Sequence, residues 1–101
     1  MATLADHTNV FNTALLVLQQ KGYQLWHDAE SHIYYAEKDG WDFASSSPVG
    51  LLGVVAIYDF LQPQAWKEYW WRLSDETLYR RLPGSPPQPY EPVYIRKRSE
   101  P

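Results

Sequence analysis

The chain has 101 residues, the length of one domain, and its 45% hydrophobic and 21% charged content excludes a disordered polymer. It contains no cysteine, which excludes disulfides, thiolate nucleophiles and cysteine-bound metals. The net charge of −3 is unevenly placed: ten acids stand against four bases up to Tyr79, and five bases against two acids from Arg80 onward. An acidic body repels phosphate backbones, so no nucleic-acid function is expected.

In chain order, residues 3 to 21 read as an amphipathic helix. Leu4, Phe11, Leu15 and Leu18 recur at helical spacing, and Val10, Ala14 and Val17 widen the stripe. Thr3 and Asp6 have the spacing of a capping box, and Lys21-Gly22 supplies a cation and a C′ glycine at the far end.

Residues 23 to 46 read as a three-stranded antiparallel meander. Asp39-Gly40, set between two β-rich runs, is the strongest hairpin signal in the chain, because a type I′ turn needs positive φ at both central residues. That loop pairs Lys38 with Trp41, Ala36 with Phe43 and Tyr35 with Ala44. For the first turn, an Ala29-Glu30 loop pairs His27 with His32, Trp26 with Ile33 and Leu25 with Tyr34. One face then carries Tyr23, Leu25, Tyr34, Ala36, Trp41 and Phe43 and makes the better core. The other is polar around Trp26, Ile33 and Tyr35, and sets Glu37 opposite Asp42, a repulsion that only a surface tolerates.

Ser47-Pro48 opens a second helix, with serine at N-cap and proline at N1. Leu51, Leu52, Val54, Val55, Ile57, Tyr58 and Leu61 leave almost no polar side, so this helix is expected to be central and buried. Gly50 and Gly53 weaken it and suggest a close approach to the sheet. Gln62-Pro63 closes it. Two further short helices are the preferred reading of residues 64 to 82, with a hairpin as the rival. Six of the eight prolines lie at or beyond Pro83, so the chain divides into a globular α+β domain, 1–82, and an extended tail, 83–101. In that tail Val93 to Ile95 could dock as a strand, leaving Arg96-Lys97-Arg98 in solvent.

Catalytic constellations are scarce. His27 and His32 are the weak candidates for a metal site, and a third ligand on their face is missing. Ser45 to Gly50 is explained by ordinary capping, since a phosphate loop needs more glycine and a lysine. No glycine-flanked nucleophile elbow surrounds the serines. No enzyme activity and no cofactor are expected.

The aromatics are the informative excess. Sixteen of them, five Trp, eight Tyr and three Phe, cannot all be buried in so small a domain. Tyr69-Trp70-Trp71 cannot point inward together from one helix or strand, so Tyr69 or Trp71 must be partly exposed. The candidate partner-binding residues are Trp26, Ile33, Tyr35, Tyr69 and Trp71, with Asp28, Glu37 and Asp42 around the first three. The expectation is a small cytoplasmic protein-interaction module, binding a protein partner or itself as a homodimer. Pro86-x-x-Pro89 and Pro89-x-x-Pro92 have the spacing of SH3 ligands without a flanking arginine and read as linker. The longest apolar run, Val49 to Leu61, contains two glycines and Asp59 and is too short for a bilayer, and no membrane association is expected. The alternative is a small-ligand or enzymatic domain with a pocket between the sheet and the helix from Ser47.

Overall fold

The computed structural model describes residues 3–74 and 77–93. Contacts divide the chain into two units, Leu4–Leu73 and a second formed by Met1–Thr3 with Ser74–Pro101.

In the first unit a single 3-10 turn, Thr8–Val10, leads into helix α1, Phe11–Gln20. The helix therefore starts well after the expected Thr3. Leu4 is 82% exposed, so the residue expected to anchor an earlier start buries little, and the capping-box spacing of Thr3 and Asp6 lies upstream of the helix. The C-terminal end behaves as expected. Gly22 takes φ +98° and donates its N–H to Gln19 O at 3.0 Å, while Tyr23 N–H reaches Leu18 O at 3.1 Å. These are the two bonds of a Schellman motif, and Leu18 and Tyr23 supply its hydrophobic contact inside the core.

Three antiparallel strands follow in spatial order β1-β2-β3: β1 is Gln24–Asp28, β2 is Ile33–Lys38 and β3 is Trp41–Ser45. The second turn has the expected two residues, Asp39 at φ +54° and Gly40 at φ +87°, and sets Lys38 opposite Trp41. The first turn is longer than expected. Leu25 lies opposite Ala36, Trp26 opposite Tyr35, His27 opposite Tyr34 and Asp28 opposite Ile33, leaving residues 29–32 as the loop. His32 closes that loop at φ +61° with its N–H on Asp28 O at 2.7 Å, and Asp28 Oδ1 accepts from Glu30 N–H at 3.0 Å. The partners shift by two residues, an even number, so every side chain that remains in β1 and β2 keeps its expected face, while Ser31 and His32 move into the loop.

Helix α2, Pro48–Leu61, is capped as the sequence predicts: the Ser47 hydroxyl accepts from Gly50 N–H at 2.9 Å, with Pro48 at the first helical position. Gln62 closes it in the left-handed region, followed by Pro63. Burial of α2 is one-sided. Pro48, Leu51 and Val55 are buried, whereas Gly53, Ala56, Ile57 and Phe60 lie exposed on the opposite side. The close approach expected at the glycines exists at Gly50, where a Cβ would collide with the Ser45 hydroxyl. It does not exist at Gly53, which faces open space.

The core is Leu18, Tyr23, Ala36, Phe43, Leu51 and Val55, with the inner faces of β1 to β3 packed under the two helices. Trp70 completes it, ring edge against Trp41 at 5.4 Å and against Tyr58 at 6.1 Å. Lys21 Nζ meets Asp59 Oδ2 at 2.7 Å, tying the C-terminal ends of α1 and α2. Lys38 Nζ donates to Lys21 O at 2.8 Å and covers the Tyr23 ring. Among the described residues no helix is long and apolar enough to cross a membrane.

Residues 62–74 form neither the expected helix nor the rival strand. They run as turns, with Trp70 N–H on Lys67 O and Arg72 N–H on Tyr69 O, and Tyr69 at φ +61°. In the second unit the described regular structure is one 3-10 turn, Leu78–Arg80, in a run of exposed residues. The strand expected at Val93 to Ile95 and the basic end from Arg96 extend beyond Val93, outside the described residues.

Candidate partner-binding face

Alternation along the strands places Gln24, Trp26, Asp28, Ile33, Tyr35, Glu37, Asp42 and Ala44 on the outer face, away from α1 and α2. Trp26 and Tyr35 are directly cross-strand, and their rings stack nearly parallel, 5.1 Å between centroids at 11°. Trp26 stays 50% exposed in this stack, and Ile33 and Tyr35 are half-buried beside it. Three carboxylates, those of Asp28, Glu37 and Asp42, share the face with no lysine or arginine.

Two of these carboxylates also organise turns. Glu37 Oε2 accepts from Gly40 N–H at 2.9 Å, which eases the repulsion from Asp42 opposite it. The Ser31 hydroxyl and Glu30 N–H both bond Asp28 and hold its carboxyl below the usual aspartate value.

His27 and His32 do not meet. His27 stacks on Tyr34 at 4.2 Å, because the four-residue loop sets Tyr34 opposite it, and His32 sits in the loop at positive φ. Among the described residues no group of three or more His, Asp or Glu side chains gathers as metal ligands would.

The aromatic triplet divides as its chemistry requires. Trp70 faces the core, while Tyr69 and Trp71 are 53% and 50% exposed and meet edge-on at 5.8 Å. The Arg72 guanidinium lies 4.5 Å from the Tyr69 ring centre and 5.8 Å from that of Trp71, so this pair already holds a cation of its own chain. Tyr69 and Trp71 are therefore a second aromatic cluster, distinct in contacts from Trp26 and Tyr35. The link between them is Ala44, which is opposite Tyr35 and lines one cleft with Trp71.

That cleft, about 360 Å³, does lie between β3 and α2, walled by Phe43, Ala44, Val54, Ile57, Trp70 and Trp71. Its walls are apolar and contain neither His27 nor His32. A neighbouring hollow is lined by Ile57, Phe60, Trp71 and Leu73. The exposed Ile57 and Phe60 escape a sequence reading that treats an apolar helix as buried. The available signal is Gly53 and Ala56, small residues at helical spacing on their side.

Comparisons with protein-family models, with curated protein sequences and with solved structures found no match, so the functional reading rests on the chemistry of this face.

Proposed function

We propose that this chain is a protein-interaction module whose outer sheet face receives a basic segment of a protein partner. The observation that carries the reading is the half-exposed Trp26–Tyr35 stack among Asp28, Glu37 and Asp42 on a face without a base. A lysine or arginine over an exposed aromatic face gains about 0.5–1 kcal/mol, and surface ion pairs with the carboxylates add at most about 1 kcal/mol each. Binding of this kind is modest and salt-sensitive. Ile33 adds aliphatic surface beside the stack, and Tyr69 and Trp71 offer a second exposed aromatic pair where Arg72 can be displaced.

Fluorescence anisotropy with a labelled arginine-rich octapeptide tests the reading. Replacing Trp26 and Tyr35 together with serine should weaken binding about tenfold, with the circular dichroism spectrum retained. Equal affinity for the double variant would end the proposal. Light scattering across a concentration series tests self-association: a dimer that persists when Trp26 and Tyr35 are replaced would place the contact elsewhere.

A further inference from the structure

β3 is hydrogen-bonded to β2 on one side only. The two-residue turn makes Lys38 and Trp41 a hydrogen-bonded pair, and such pairs alternate along an antiparallel ladder. Trp41, Phe43 and Ser45 therefore direct their main-chain groups to β2. Asp42 and Ala44 direct theirs outward, and among the described residues no backbone group bonds them there. Both residues are exposed, and the strand has neither proline nor bulge to blunt this edge.

Two clefts flank the same edge, one at Trp41 and Asp42 and one at Phe43 and Ala44, and Trp70 lines both. The first, about 290 Å³, contains Asp39, Asp42 and Trp66, with no base in its walls and Trp66 71% exposed. The second is the apolar cleft between Phe43 and the α2 residues Val54 and Ile57. A strand added to β3 presents alternate side chains on one face, about 7 Å apart. The residue opposite Trp41 would enter the acidic cleft, and the residue opposite Phe43 the apolar one.

We propose that the free edge of β3 docks an extended segment of a partner protein, one carrying a lysine or arginine two residues from a bulky aliphatic side chain. This deepens the reading of the chain as a module for basic partners and rests on it. Main-chain pairing with Asp42 and Ala44 supplies affinity, and the two clefts supply sequence preference. Asp39 and Asp42 line this cleft beside an exposed indole with no base opposing them, which favours a cation there. A second copy of this chain is the poorer occupant, because its own β3 edge carries Asp42 and no base, and self-pairing sets acid near acid.

Panning a phage library of random linear dodecapeptides on the full chain tests this, followed by anisotropy on the enriched peptides. The expected peptides contain a Lys or Arg at i and a Val, Ile or Leu at i ± 2. Their affinity should fall about tenfold in Ala44→Pro, which removes an outward N–H, and in Ile57→Glu, which charges the apolar cleft. Ile57 is 45% exposed, so the second variant keeps a folded reference should the proline disturb β3. Asp39→Asn with Asp42→Asn should remove the preference for the base while sparing the aliphatic position. Enrichment of no peptide, or of peptides that bind Ala44→Pro and Ile57→Glu as tightly as the parent, overturns the edge site. If such peptides are basic and lose binding in the Trp26/Tyr35 serine variant, the outer-face reading stands while the edge proposal falls.

Discussion

The two faces of the three-stranded sheet are made by the same residues taken alternately, yet they meet opposite fates. The inner face supplies Tyr23, Ala36 and Phe43 to the core, where Phe43 is 8% exposed and Ala36 fully covered. The outer face carries as large an aromatic pair, Trp26 and Tyr35, and leaves Trp26 half in water. α2 repeats the contrast, with Leu51 and Val55 buried below and Ile57 and Phe60 exposed above. Two helices cover one side of a small sheet and no more. Aromatic content therefore does not decide burial here; the supply of covering elements does.

The contrast is broken hardest at Phe43. It contacts Tyr23, Tyr58 and Trp70 rings between 5.4 and 6.4 Å, so Phe43→Ala should cost about 3–5 kcal/mol. Tyr35→Ala, on the other side of the adjacent strand, should cost about 1 kcal/mol. Urea unfolding of both variants measures the difference. Similar costs would mean that the outer face is as structural as the inner.

Tyr23 gives the next largest effect. Burial, reinforced by the negative charge of Asp59, pushes its phenol up to about 12 from an ordinary 10. The neutral form is the one the fold favours, so this contribution is complete below pH 10 and is lost as the pH rises toward 12. Two pKa units correspond to about 3 kcal/mol. Tyr23→Phe should flatten that part of the alkaline stability profile, measured by urea unfolding between about pH 9 and 12.

Gly53 sharpens the helical version of the contrast. A Cβ there meets open space, so Gly53→Ala should stabilise by up to about 1 kcal/mol. At Gly50 the Ser45 hydroxyl stands in the way, and the same change should destabilise unless Ser45 is also shortened to glycine.

What could be read from the sequence follows the same physics. Asp39-Gly40 was legible because a two-residue turn with positive φ at both positions leaves almost no alternative register. The first turn was not, since Ala29-Glu30 and the four residues 29–32 both fit a polar loop, and the left-handed conformation of His32 has no glycine to announce it. The faces are unchanged because the shift is even, so Trp26 and Tyr35 keep the outer face although Trp26 pairs with Tyr35 rather than with Ile33. Residues 64–73 had two plausible periods and took neither. The half-buried ring of Trp70 packs this run of turns against the core, and that is a tertiary contact no local pattern encodes. The exposed side of α2 was hidden for a related reason: periodicity reports which sides are apolar, not how many neighbours are present to cover them.

The smallest effect bears most directly on function. A double-mutant cycle on Trp26 and Tyr35, each replaced by serine, isolates the energy of the stack from the cost of either ring. A stacked pair contributes about 0.5–1.5 kcal/mol beyond its buried area, and an exposed cross-strand pair belongs near the lower figure. Thermal or urea unfolding of the four proteins yields the coupling. A value of about 0.5 kcal/mol would show that the fold barely depends on the pair. A coupling well above 1.5 kcal/mol would make the stack a structural staple of the β1–β2 hairpin, sufficient to explain both rings without any partner. The low value joins the two halves of the comparison: an inner face held by what covers it, and an outer face whose aromatic surface remains available to a second molecule.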